Sequence, residues 1–198
     1  MKRHLQKFLW LSPFILLAFY WIGIYLGLKN PMEEINYAEN GGWMRYVMFK
    51  PYSETIGNDG IWKEDEDFQT YPYSKGIVDA NEELSVMMFR GTPNWTYMYD
   101  FELEKGVTLG FIFKYDSSKK VFFQKEVYLS KEDTTYEGQQ LLEQLSTYGK
   151  DRTWLKKQSK KVVQQYILGT WFKNGSSRYS LNNLGDMKIK YNELIEEK

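Results

Sequence analysis

The sequence predicts an α+β protein: an antiparallel β-sheet meander with two C-terminal helices packed on one face, preceded by one N-terminal transmembrane helix. Three observations predict it. Residues 8–28 carry no charge. Between residues 84 and 129, apolar and polar side chains alternate with period two, in runs separated by turns of about four residues. After residue 136 the apolar spacing changes to that of helices.

The charge-free run FLWLSPFILLAFYWIGIYLGL has 21 residues. As a helix it spans about 31 Å, close to the hydrocarbon thickness of a bilayer. Pro13 falls in its first turns, where a lost hydrogen bond is easiest to tolerate. Lys2, Arg3 and Lys7 precede it, and Lys29, Glu33 and Glu34 follow it. That asymmetry favours an N-terminus inside and the remainder outside. A cleaved signal peptide has a shorter apolar stretch and a small-residue cleavage site, and no Ala-x-Ala pattern follows here. Gly23 and Gly27 form a lone G-x-x-x-G, better explained by helix-compatible small residues than by helix pairing. The expected division is 1–29 as an uncleaved anchor and 30–198 as an extracellular α+β domain.

Residues 30–42 read as a connector, with Pro31 stopping the first helix and Gly41-Gly42 marking a turn. Trp43–Lys50 reads as a strand, and residues 51–83 as a long irregular segment. Leu84–Arg90 is a strand candidate. Trp95, Tyr97, Tyr99, Phe101 and Leu103 alternate with polar residues in a half-buried strand. Val107, Leu109, Phe111, Phe113 and Tyr115 do the same in the next. Val121, Phe123, Lys125, Val127 and Leu129 continue the pattern. Leu141, Leu142, Leu145 and Tyr148 mark a helical face ended by Gly149. Asp151 or Thr153 caps a second helix, predicted as one piece over Trp154–Phe172. Met187–Tyr191 is a closing strand.

Composition excludes several chemistries. The chain has 198 residues, no cysteine and one histidine, His4. Disulfides, thiolate nucleophiles, His-centred triads and multi-His metal sites are thereby ruled out. The formal net charge is +0, so no nucleic-acid partner is indicated. Charge is nonetheless segregated. Residues 30–104 hold 15 acids and 5 bases, and residues 105–198 hold 11 acids and 17 bases. Glu64, Asp65, Glu66 and Asp67 are consecutive acids. They read as a solvated surface or as a docking patch for a basic partner. They lack the spaced ligands and glycine of an EF-hand, so no metal site is expected. The lysines after Thr153 read as a solvated helix face. Asp100, Glu102 and Glu104 are paired carboxylates opposite an apolar strand face, a position that suits solvent better than acid–base catalysis. No nucleophile or phosphate-cradling motif is present.

The segment Trp171-Phe172-Lys173-Asn174-Gly175-Ser176-Ser177-Arg178-Tyr179-Ser180-Leu181-Asn182-Asn183-Leu184-Gly185-Asp186 resembles the C-terminal signature of the TipC family. The resemblance implies a membrane-anchored extracellular immunity protein of a Gram-positive bacterium. Such a protein binds and neutralises a secreted TelC-type LXG toxin of a type VII secretion system that acts on lipid II. It implies no catalytic residue, no cofactor and no small-molecule substrate. Leu181, Leu184 and the Gly185 turn read as structural. The expected toxin-binding surface is the wet sheet face, lined by Met98, Asp100 and Glu102 and flanked by Glu64, Asp65, Glu66 and Asp67. Two other classes stay open: a membrane-tethered sensor or structural binding protein, and a carboxylate-dependent envelope enzyme.

Overall fold

The computed structural model describes the backbone of residues 2–55, 61–63, 73–79, 82–88 and 95–196, and the side chains of residues 11–52, 55 and 95–196. Helix α1 runs Lys2–Gly27. Residues 8–27 of it carry no charge. Leu11, Phe14, Leu16, Phe19, Tyr20 and Leu26 are all exposed on it. Among the described residues no helix is long and apolar enough to cross a membrane. The described side chains of α1 begin at Leu11, inside the charge-free run.

The expected connector is a second helix, α2, Pro31–Asn40. Pro31 starts this helix rather than stopping the first. Asn30 is its N-cap, with its Oδ1 accepting from the amides of Met32 and Glu33, both at 3.0 Å. Proline at the first helical position and Glu33 and Glu34 in the first turn complete a strong start signal. The expected strand at Trp43–Lys50 is also helical: α3 covers Arg45–Met48, and α4 covers Tyr52–Thr55. Met44 and Met48 are buried four residues apart while Tyr46 and Val47 are exposed. That is helical spacing, not alternation.

The strands are β1 (Ile61–Lys63), β2 (Tyr73–Asp79), β3 (Glu82–Met88), β4 (Trp95–Glu104), β5 (Val107–Asp116), β6 (Val121–Lys131), β7 (Thr134–Glu137) and β8 (Lys188–Lys190). The first seven form an antiparallel meander in chain order. Segment 51–83, polar and too long for a structureless connection in a compact domain, carries the short elements α4, β1 and β2. The closing strand does return to the sheet, but parallel to β6, with Val121 opposite Lys188. Opposite Ile112 and Phe113 of β5, β6 carries one extra residue, Lys125, a bulge that shifts the pairing. Gln124 therefore turns inward with Phe122, and Lys125 is exposed. The expected single face of Val121, Phe123 and Lys125 is broken at this point, because an extra residue re-aims every side chain beyond it.

Helices α5 (Gly138–Thr147), α6 (Arg152–Lys161) and α7 (Leu168–Asn174) follow the meander. Gly149 at φ +66° ends α5, and Asp151 caps α6 by accepting from the Trp154 amide at 2.7 Å. The single helix expected over Trp154–Phe172 is interrupted by a π-helical turn, Val162–Ile167. The wider turn sets Tyr166 flat against Tyr99 of β4, with ring centroids 4.8 Å apart.

One sheet face is covered by helices from both ends of the chain, not by the C-terminal pair alone. Met32 and Ile35 of α2, Tyr52, Leu141, Leu155, Ile167 and Trp171 share one core with Tyr97, Leu109, Phe111, Phe113 and Leu129. Tyr52 stands edge-on to Trp95 and Tyr97 and donates to the Ile167 carbonyl at 3.0 Å. The ring-rich composition thus goes into one aromatic layer, whose burial supplies the main stabilisation in a chain without disulfides.

Candidate functional site

The other sheet face is open. Even-numbered residues of β4 and β5 lie on it in cross-strand rows. Met98 pairs with Ile112, Asp100 with Gly110, and Glu102 with Thr108. On the next strand these rows continue to Glu126, Tyr128 and Ser130. The structure therefore brings Met98, Asp100 and Glu102 together on one surface. Glu64, Asp65, Glu66 and Asp67 lie outside the described residues.

Asp100 is half-buried and Glu102 exposed. The Tyr128 hydroxyl donates to Asp100 Oδ1 at 2.9 Å. The tyrosine reaches it by lying across Gly110, where an added Cβ would collide with the ring. This glycine is needed for that approach. Burial, then the adjacent Asp100 charge and the hydrogen bond to it, push the Tyr128 phenol far up. It stays a neutral donor at any physiological pH. Glu83 of β3 holds the register position opposite Asp100. Glu102 and Glu104 are exposed and Asp100 is engaged by Tyr128, which argues against a catalytic carboxylate pair. Among the described residues no group of three or more potential ligands could hold a metal ion.

A second constellation escaped sequence reasoning, although its parts were in view. The α1–α2 junction is clasped by the segment that follows α7. Glu34 is fully buried. Its carboxylate accepts from Trp171 Nε1 at 3.2 Å, from the Ser177 hydroxyl, and from the Arg178 amide at 3.4 Å. The Arg178 guanidinium stands 3.7 Å from the same carboxylate and covers the Tyr25 ring of α1, 4.7 Å from its centroid. Tyr179 donates to the Leu28 carbonyl at 2.8 Å. Asn30, besides capping α2, donates to Tyr115 at 2.9 Å and to Asp186 at 2.8 Å. Lys120 bridges Asp186 and Glu33. Gly185 sits at φ +63°, and a Cβ there would strike the Lys29 carbonyl. Leu181 and Leu184 pack at the edge of the core, as the structural reading of them expected. The signal for this clasp is the buried acid of α2, which has no partner within its own helix and must find one elsewhere.

Asn30→Ala would remove the α2 cap together with the bonds to Tyr115 and Asp186. A loss of about 2 kcal/mol in folding stability is expected in denaturant titration.

The architecture defines a class: an α+β domain whose antiparallel sheet is backed on one face by helices. Residues 6–192 match the TipC immunity protein-like family, and the chain belongs to that family. Membership implies a protein toxin as the partner. Among solved structures, TipC2 from Streptococcus intermedius B196 has the same fold, with a TM-score of 0.60 and 20% identity over 82% of this chain and 96% of that one. No curated protein sequence matches.

Proposed function

We propose that this chain is a membrane-anchored immunity protein that captures a secreted LXG toxin of a type VII secretion system on the outer face of the cell membrane. There it blocks the toxin's attack on lipid II. Capture needs no catalytic group, since covering the toxin's working surface is enough. The family membership supports the immunity role. The observation that carries the placement of the binding surface is the open sheet face, where Asp100 and Glu102 stand in rows with Met98, Ile112 and Tyr128. Its β4 acids, Asp100 and Glu102, belong to the half of the chain that carries the acid excess, so it suits a cationic partner. The exposed apolar length of α1 and the basic residues before it support an anchor with the N-terminus inside.

The test is capture kinetics. Asp100→Lys combined with Glu102→Lys should slow association with the cognate toxin about tenfold at low salt, and the difference should shrink as salt rises. Unchanged association would refute this placement. Reversing Glu64, Asp65, Glu66 and Asp67 tests the flanking acids in the same way. In cells, exporting the toxin should kill unless the full chain is co-expressed, and deletion of residues 1–29 should abolish protection.

A further inference from the structure

The helical face of the domain carries an apolar patch that the core does not use. Trp43, Tyr46 and Val47 are 64%, 66% and 67% exposed, in a turn and short helix in which Met44, Met48 and Phe49 are buried and Arg45 is half-buried. Three large side chains aimed outward from one turn need a cover.

Their position shows what that cover is. Phe49, which ends α3, stacks on Tyr25 of α1 at 6.3 Å, and Tyr25 stacks on Trp21 at 5.9 Å. Tyr37 of α2 meets Phe49 edge-on at 6.4 Å. Through the shared Phe49 ring, α2 thus lies beside the last turns of α1. Ile24, Tyr25 and Leu28 consequently pack against the domain. The part of the apolar run that precedes this packing and the Trp21–Tyr25 stack is residues 8–20, 13 residues. They measure about 20 Å, well short of a hydrocarbon core of roughly 30 Å. An anchor so short draws its domain down against the bilayer. Tyr20 and Trp21 then mark the level at which the membrane ends, and the turn and short helix bearing Trp43 and Tyr46 join α1 one turn further on, through the Phe49–Tyr25 stack. Tryptophan and tyrosine favour this interfacial layer.

Charge agrees. Residues 40–53 contain Arg45 and Lys50 and no acid, within a half of the domain that is otherwise strongly acidic. The Arg45 guanidinium lies over the Tyr46 ring, 4.6 Å from its centroid, and donates to the Tyr46 hydroxyl at 2.6 Å. A cation held on an interfacial ring suits an anionic headgroup region.

We propose that the turn and short helix bearing Trp43, Tyr46 and Val47 rest in the interfacial layer of the bilayer that holds α1, so that the domain is fixed to the membrane at two places. This rests on reading α1 as the anchor. The partner is a lipid surface, not a second protein.

The chain has no cysteine, so single labels can be placed without a background. Full-length Phe14→Cys, Val47→Cys and Glu102→Cys, each carrying a nitroxide, are reconstituted into phosphatidylcholine–phosphatidylglycerol vesicles. Collisions with oxygen and with a water-soluble nickel chelate are then compared by electron paramagnetic resonance. The label at 14 should be deep, the label at 47 shallow but shielded from nickel several-fold more than the label at 102. A label at 47 as open to nickel as that at 102, with 14 still deep, overturns the second contact and leaves the anchor standing. A label at 14 in water overturns both. A label at 47 shielded from both reagents reports a protein contact and also overturns the proposal.

Discussion

Replacing Trp171 with alanine is expected to lower folding stability by about 4 kcal/mol, the cost of emptying a large aromatic site in a packed core. Trp171 is fully buried. Its ring lies 5.6 Å from Phe49 and 6.1 Å from Tyr52, so it joins the N-terminal helices to α7. Gly175 is pressed so close to it that an added Cβ would enter the ring. Its Nε1 also donates to Glu34. In a domain of this size, such a loss lowers the melting temperature by about 10 °C. Trp171→Phe keeps most of the ring contacts and loses the donor, and should cost about 1–2 kcal/mol. Thermal unfolding of the full chain in detergent, followed by near-ultraviolet circular dichroism, checks both. A Trp171→Ala protein within 1 kcal/mol of the parent would mean that the clasp contributes little to stability.

The second large effect belongs to Glu34. Glu34→Ala strands the Trp171 and Ser177 donors and the Arg178 charge together, and should cost about 3 kcal/mol. Glu34→Gln keeps the shape and removes the charge, which gives a pH test. Burial raises the Glu34 carboxyl above its ordinary 4.5, and the bonds from Ser177, Trp171 and the Arg178 amide, with the Arg178 charge, pull it only partly back. The folded state therefore holds the proton more tightly than the unfolded state. Such a group stabilises most below its unfolded pKa, and its contribution fades as pH rises through the folded value. The parent should lose stability relative to Glu34→Gln as pH climbs from below 4.5 through the raised value, and the difference should then level off. A difference that stays flat across this range would refute the assignment.

Much of the sheet was legible because half-buried strands write their two faces as alternation, and β4 and β5 do so without a break. The β5–β6 bulge was not, since an inserted residue leaves no mark in composition. Helix α2 was missed despite its signals. Asn30, Pro31, Glu33 and Glu34 form a complete start, but Pro31 was assigned to the end of the preceding helix. In Trp43–Lys50, a mixture of rings and methionines suits strand and helix equally, and the burial of Met44 and Met48 one turn apart decides it. Of the candidate binding residues, Met98, Asp100 and Glu102 were placed correctly on one face because period two fixes the side of a strand. The clasp was hidden for a different reason. Glu34 and Arg178 are 144 positions apart, and pairing at that distance is set by the fold, not by any local pattern.

The distance between the two halves of the clasp also sets an order of events. A chain is made from its N-terminus. The root at Asn30 is made long before Asp186, 156 positions later. Until residues 177–186 arrive, the root has only part of its fastening, the Asn30–Tyr115 bond among it. Fastening thus follows the meander in biosynthesis, and a product truncated before Ser177 would have every strand of the meander but none of the bonds that Ser177, Arg178, Tyr179 and Asp186 make to the root.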